Sequence, residues 1–119
     1  MKRPEGTSTG KIEIAVDHSG ADTIVRLKGL IDVDSSPDVR DRLQAVLSTD
    51  PLPHAVTVEL GGVTSIEASG IATLVEALKV ARQRAIRFHL HGHGSVLQLF
   101  ESTGLLALFD KSSTGNGAS

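Results

Sequence analysis

The chain has 119 residues, enough for one domain, and a formal net charge of -2 from 12 Lys plus Arg and 14 Asp plus Glu. A nearly neutral chain with 3% aromatic residues lacks the basic surface and the stacking side chains that nucleic-acid binding needs, so we expect no nucleic-acid partner. The absence of cysteine excludes disulfides, thiolate nucleophiles and Cys-ligated metal centres.

Both ends of the chain are small, polar and rich in glycine. Segments 1–10 and 111–119 cannot bury enough apolar surface to offset the entropy of ordering, so we predict flexible tails around one domain at 11–110. The N-terminus has no apolar signal-peptide segment, and no apolar run approaches the ~20 residues that cross a bilayer. We therefore expect a cytoplasmic protein without membrane insertion.

The first part of the domain predicts a β-hairpin followed by a helix. Apolar residues alternate over 12–16 and again over 24–30, around turn residues at 17–20, which is typical of two antiparallel strands. Ser36 predicts a helix N-cap, because Pro37 then occupies the first helical position. The apolar face of this helix consists of Val39, Leu43, Val46 and Leu47.

The second part alternates strands and helices. We predict a strand at 56–60 that ends at Gly61-Gly62, a strand at 86–90, a short helix from Ser95 and a last short strand at 106–109. Between the strands at 56–60 and 86–90 lies a helix whose apolar face consists of Ile71, Leu74, Val75 and Leu78. Short links between such elements favour parallel pairing. The predicted fold is α/β, a mixed four- to five-stranded sheet with the helices mainly on one face.

The turn between the strand at 56–60 and the following helix is the most informative segment. Such a turn exposes backbone N–H groups and the positive end of a helix dipole, which suits an anion or a phosphoryl-accepting hydroxyl. The simpler interpretation of the pattern is that Ser65 and Glu67 cap the helix.

Three segments resemble, in the same order, the motifs of STAS domains of bacterial anti-sigma factor antagonists. Residues 66–71, Ile-Glu-Ala-Ser-Gly-Ile, resemble the Asp-Ser-Ser-Gly-Leu or Asp-Ser-Thr-Gly-Leu signature. Residues 27–32 resemble a Leu-x-Gly-Glu-Leu-Asp segment, and residues 99–105 resemble a Leu-Phe-x-x-x-Gly-Leu helix ending. The resemblance extends over residues 11–110 and implies a single STAS-like domain that acts as a switch, with no catalytic residues and no cofactor.

The resemblance also implies a protein partner. In the family, the unphosphorylated antagonist binds an anti-sigma factor that is also a serine kinase, and the sigma factor is released. Phosphorylation of the first hydroxyl residue in the signature ends the interaction, because a phosphate adds about -1.5 to -2 charges to a close-packed interface. For this chain the implied partner is an anti-sigma factor of the serine-kinase type, and we expect a monomer or weak dimer.

The chain departs from the family pattern at the phosphoacceptor position. Ala68 stands there and has no hydroxyl, Glu67 replaces the aspartate, and Ser69 matches the second hydroxyl position. Three explanations are open. The protein is permanently competent to dock; or Ser69, with Ser65 as a weaker candidate, has become the phosphoacceptor; or the domain is an accessory STAS subunit of a transport or multi-protein assembly.

We predict partner binding at the start of the second helix and in a neighbouring loop. The predicted residues are Asp32, Glu67, Ala68, Ser69, Gly70 and Ile71. The resemblance places the Asp32 loop beside the signature, and the simpler role of Asp32 is that of a turn or cap residue before the first helix. Leu30 replaces a glutamate of the family, so one charge expected near this surface is missing.

A His-x-His-x-His run offers an alternative of a different class. His89 and His91 share one face of a strand, with His93 nearby, and such a set could bind Zn²⁺ and activate water in a metal-dependent hydrolase. The positive charge of Arg87 on the same face would repel a metal cation, and the segment contains no carboxylate. We therefore favour a solvated strand face over a metal site.

Overall fold

A computed structural model describes residues 7–8, 12–92 and 98. The elements in chain order are β1 (Thr7–Ser8), β2 (Ile12–Ser19), β3 (Asp22–Ile31), α1 (Ser36–Val46), β4 (Ala55–Ile66), α2 (Ala68–Gln83) and β5 (Arg87–His91). Several sequence predictions lie outside the described residues: the helix from Ser95, of which only Gln98 is described, the motif at 99–105, the strand at 106–109, His93 and the segment 111–119. Neither helix within 12–92 is long and apolar enough to cross a bilayer.

The strands form one mixed sheet in the order β1-β2-β3-β4-β5. β2 pairs antiparallel with both β1 and β3, whereas β3 pairs parallel with β4 and β4 pairs parallel with β5. Each parallel pair requires a crossover connection, which α1 and α2 supply. The predicted mixed α/β sheet is confirmed. β1 lies within the segment 1–10 that the composition assigns to a tail.

The hydrophobic core lies between one face of the sheet and the two helices. Along β2, Ile12 and Ile14 are buried and Glu13 and Ala15 are exposed, as a half-buried strand requires. All four apolar residues predicted for the first helix are buried. In α2, Leu74 and Leu78 are buried and Ile71 and Val75 are partly buried against the same core. Both helices therefore cover the same sheet face, as predicted.

β4 continues beyond the position where the sequence predicts its end. Gly61 and Gly62 lie inside the strand, and pairing with β3 resumes through two register shifts and reaches Ile66. A Cβ at Gly62 would lie 3.1 Å from Lys28 Cγ, so a glycine permits the close approach of β3 at this irregularity. The prediction that the strand ends at Gly61-Gly62 is wrong, because here the glycines serve a bulge instead of a turn.

The first helix begins one residue earlier than predicted. Ser35, not Ser36, is the N-cap, and Pro37 is the second helical residue. The Ser35 hydroxyl accepts a hydrogen bond from the Asp32 N–H at 2.9 Å, and the Ser35 N–H donates to Asp32 Oδ1 at 3.1 Å. These bonds to the preceding loop fix the start of the helix at Ser36.

The end of α2 offers a direct test of backbone strain. Ala85 has a φ of 59°, and the N–H groups of Ala85 and Ile86 donate to the carbonyls of Arg82 and Ala81, which is the Schellman arrangement that favours glycine. We expect Ala85→Gly to raise the free energy of unfolding by about 0.5–1 kcal/mol, because relief of left-handed strain exceeds the added entropy of the unfolded chain. Urea denaturation measures the change. Ala85→Val is the opposite control, and destabilisation by both variants would contradict the prediction.

Candidate functional site

The carboxyl ends of β3 and β4 bring two chain segments together at one edge of the sheet. The Glu67 N–H donates to the Ile31 carbonyl at 2.8 Å, directly after both strands end. The Ser36 and Ser69 hydroxyl oxygens lie 3.1 Å apart although the residues are 33 positions apart in the sequence. The segment after β3 and the first turn of α2 are therefore in direct contact, so the residues predicted for partner binding are adjacent; that they bind a partner stays a prediction.

Asp32 orders the loop at this site. Its Oδ1 accepts hydrogen bonds from the N–H groups of Asp34 at 3.0 Å and Ser35 at 3.1 Å, and its carbonyl accepts from the Ser36 N–H at 2.8 Å. The residue is buried, with 8% of its surface exposed. The geometry corresponds to the turn and cap role. Contact between Asp32 and a partner stays a prediction.

Val33 is the apolar residue that this ordered loop presents to solvent. Its surface is 67% exposed, more than that of any other large hydrophobic residue within 12–92. The sequence prediction of the site does not include Val33. The available signal was an aliphatic residue between Asp32 and Asp34, outside every periodic apolar pattern, where burial in the domain core has no rationale.

The first turn of α2 is exposed at its beginning. Glu67 is the N-cap in extended conformation, with φ -98° and ψ 175°, and its side chain makes no capping hydrogen bond. Ser65 lies in β4. Of the two residues in the capping interpretation, Glu67 therefore occupies the N-cap position, whereas Ser65 does not cap the helix. Glu67 and Ala68 are exposed, so a carboxylate and a methyl group stand at the positive end of the helix dipole.

Ser69 connects α2 to α1. The Ser36 hydroxyl lies 2.7 Å from the Asp32 carbonyl, which can only accept, so the single hydroxyl proton of Ser36 is used there. The contact of 3.1 Å between the two serine hydroxyls then takes its proton from Ser69. Ser69 is half-buried, and its carbonyl accepts a bond from the Thr73 hydroxyl at 2.9 Å. The Ser69 side chain thus has a structural contact within the domain.

Gly70 allows α2 to start directly on the core. A Cβ at this position would lie 2.5 Å from Ile31 Cγ2 and 2.8 Å from Ile66 Cγ1, distances that real Cβ contacts do not show. Gly70 is buried and Ile71 is half-buried against the core. Gly70 therefore serves packing at the site, and the exposed part of the predicted set is Glu67 and Ala68.

The serine contact predicts a measurable coupling between the two helices. In a double-mutant cycle of Ser36→Ala and Ser69→Ala, we expect a coupling free energy of about 0.5–1.5 kcal/mol, because each substitution removes the same hydrogen bond. Urea denaturation of the four proteins measures it. Ser65→Ala, an exposed serine in β4, is the control and should change stability by less than about 0.5 kcal/mol. Additive single effects would contradict the contact.

His89 and His91 of the histidine run lie on β5. His89 is half-buried and His91 is exposed, and β4 places Thr57 and Glu59 opposite them. The part of the chain that the structure describes holds no group of three or more His, Asp or Glu side chains arranged to bind a metal.

The described elements define a class of protein. The mixed sheet with two helices on one face is the SpoIIAA-like α/β fold, and a family model described as "Mlab, STAS domain" matches residues 14–109. The chain belongs to the STAS domain family, as the motif resemblance implies. No curated protein sequence shows significant similarity to the chain.

Several solved structures share this fold. An anti-sigma factor antagonist from Mycobacterium paratuberculosis is 21% identical, with a TM-score of 0.76 over 87% of this chain and 86% of that protein. The unphosphorylated anti-sigma factor antagonist SpoIIAA is 15% identical, with a TM-score of 0.67 over 82% and 85%. A sulfate transporter family protein from Wolinella succinogenes is 18% identical, with a TM-score of 0.65 over 78% and 75%. These similarities show a common fold.

Proposed function

We propose that this protein is an anti-sigma factor antagonist that docks to a serine-kinase anti-sigma factor in the cytoplasm and has no catalytic activity of its own. The docking surface consists of Val33, Asp34, Glu67, Ala68, Ser69 and Ile71. Asp32 and Gly70 act beneath it, the first by ordering the loop and the second by seating α2 on the core. In this proposal the protein binds its partner without a phosphorylation switch at position 68.

The exposed methyl group of Ala68 at the first residue of α2 carries this proposal. A partner kinase that docks here would meet a side chain that cannot accept a phosphoryl group. Without a phosphate, no additional negative charge enters the interface, so docking is not ended by the kinase. Such an antagonist would hold the kinase for as long as both proteins are present.

Ser69 is the competing phosphoacceptor, and its contacts argue against it. Phosphorylation of Ser69 would break the hydroxyl contact with Ser36 and bring a doubly charged group next to the Asp32 loop. Phosphorylation of an exposed hydroxyl at position 68 would not break the contact between Ser36 and Ser69. We therefore favour permanent docking over transfer of the acceptor role to Ser69 or to Ser65.

Binding and phosphorylation can be measured together. The experiment uses the purified full chain and serine-kinase anti-sigma factors from the same genome, each in complex with its sigma factor. We expect the chain to displace a sigma factor from one of them, in the presence or absence of ATP, and intact-mass analysis to show no added phosphate. Ala68→Ser should acquire one phosphate and lose binding when ATP is present.

Two results would contradict the proposal in different ways. Stoichiometric phosphate on Ser69 of the wild-type chain would assign the switch to that residue and leave docking intact as a function. If the chain binds none of these kinases, the proposal that it is an anti-sigma factor antagonist is itself incorrect.

The second candidate function is an accessory STAS subunit of a transport assembly. It has support from the fold shared with a sulfate transporter family protein and from the missing hydroxyl at Ala68, which a non-switching subunit does not need. Under this function, the chain would co-purify stoichiometrically with transporter components from its native cells. Ala68→Ser would then not become a kinase substrate.

A further inference from the structure

A groove of about 710 Å³ lies at the opposite end of the sheet from the docking surface. It is bounded by the loop before β4, the starts of β4 and β5, and the link that joins α2 to β5. The side chains that matter for its chemistry are Asp22, Leu52, His54, Arg84, Arg87 and His89. A volume of this size is in the range of small-molecule sites, which is about 300–1,000 Å³.

The charge of the groove is opposite to that of the chain. Arg84 and Arg87 against the single carboxylate of Asp22 give a positive lining even with both histidines neutral, whereas the whole chain has a net charge of -2. The remaining wall is uncharged and includes Leu52, which is 40% exposed. Guanidinium groups bind phosphate and carboxylate through paired N–H donors, so the lining fits an organic anion.

The basic groups stand on a fixed frame. Nη1 of Arg84 donates to the Leu47 carbonyl at 2.8 Å and lies 3.0 Å from the Ser48 hydroxyl oxygen, which anchors the guanidinium between the ends of the two helices. The Arg87 N–H donates to the His54 carbonyl at 3.0 Å, and the His54 N–H donates to the Ala21 carbonyl at 2.8 Å. The anchored guanidinium of Arg84 has less side-chain entropy to lose when an anion binds, and the backbone bonds fix the positions from which the side chains of Arg87 and His54 extend.

We propose that this groove binds a small molecule that carries a phosphate or carboxylate group. Arg87, on the exposed end of β5, supplies the principal ionic contact, and Arg84 supplies the donors of Nε and Nη2. Leu52 contacts the apolar part of the ligand. The groove is separate from the docking surface, because α2, with 16 residues and a length of about 24 Å, lies between the two.

Titration of the full chain with two simple anions tests the proposal. Inorganic phosphate and succinate are added separately at constant ionic strength, and backbone amide shifts are followed by NMR. We expect saturable shifts confined to residues 52–57 and 84–89, with a Kd of about 10 mM or tighter for at least one anion. The anion that binds more tightly identifies the headgroup.

Charge variants decide whether the anion binds in the groove. Arg87→Gln should weaken binding about tenfold, and Asp22→Asn should tighten it about threefold, because the first removes an attractive charge and the second a repulsive one. Arg40→Gln is the control, since Arg40 is an exposed arginine of α1 beside Asp41 and outside the groove. The proposal is overturned if neither anion gives saturable shifts, if the shifts spread over the surface, or if Arg87→Gln binds like the wild type.

Discussion

Replacing Gly70 with alanine is expected to lower the free energy of unfolding by about 1–3 kcal/mol. The added Cβ would lie 2.5 Å from Ile31 Cγ2 and 2.8 Å from Ile66 Cγ1, so both side chains or the start of α2 must move. Ile31 is 0% exposed and Ile66 is 5% exposed, and close-packed interiors accommodate extra volume poorly. Alanine is the better helix former, which opposes only about 1 kcal/mol of this loss.

Gly61, inside β4, supplies the control for Gly70→Ala. A Cβ at Gly61 would meet only Glu59 Oε1 at 3.9 Å, an ordinary contact distance, so Gly61→Ala should change stability by less than about 0.5 kcal/mol. Urea denaturation of both variants gives the comparison. If Gly70→Ala were as stable as Gly61→Ala, the close approach of α2 to the ends of β3 and β4 would be incorrect.

The parts of the fold that the sequence predicts are those in which burial follows a local period. Alternation over 12–16 and over 86–90 gives strands whose apolar residues face the core, and the 3.6-residue pattern gives the buried faces of both helices. The course of β4 through Gly61 and Gly62 cannot be predicted from a local pattern of apolar residues. Pairing with β3 decides it, since the partner strand supplies the hydrogen bonds that continue the ladder to Ile66.

For the candidate site, the structure bears on the proximity of the predicted residues and on their exposure. The motif resemblance identifies the positions at 66–71 and the loop at Asp32, and their proximity follows from parallel strands that end at one edge. The sequence does not predict the contact between Ser36 and Ser69, because it joins residues 33 positions apart. For Val33 the sequence offers a signal, because the residue lies outside every periodic apolar pattern, but the hydrogen bonds around Asp32 that hold it in solvent are seen only in the structure.

Ala68→Asp is expected to weaken docking to the partner about 100-fold, which corresponds to about 2.7 kcal/mol. The substitution places a carboxylate on the exposed first residue of α2, beside Glu67 and on the same surface as Asp34. In the complex this charge would be dehydrated and close to like charges, and both effects oppose binding. It reproduces part of the charge that phosphorylation of a serine at position 68 would add.

The same substitution should not weaken the fold, and this separates loss of docking from loss of structure. A negative charge at the first residue of a helix interacts favourably with the dipole, by about 0.3–1 kcal/mol. The urea midpoint of Ala68→Asp should therefore equal or exceed that of the wild type. Affinity is measured by calorimetry with the kinase identified by sigma-factor displacement.

Ala21→Asp is the matched control for the charge change. Ala21 is exposed in the turn between β2 and β3, at the end of the sheet opposite to the docking surface, and the turn tolerates aspartate. This variant should bind the partner as the wild type does, although its net charge equals that of Ala68→Asp. If both variants lose affinity equally, the partner responds to overall charge. If neither loses affinity, position 68 lies outside the interface, and permanent docking through Ala68 is incorrect even though the fold of the site is unchanged.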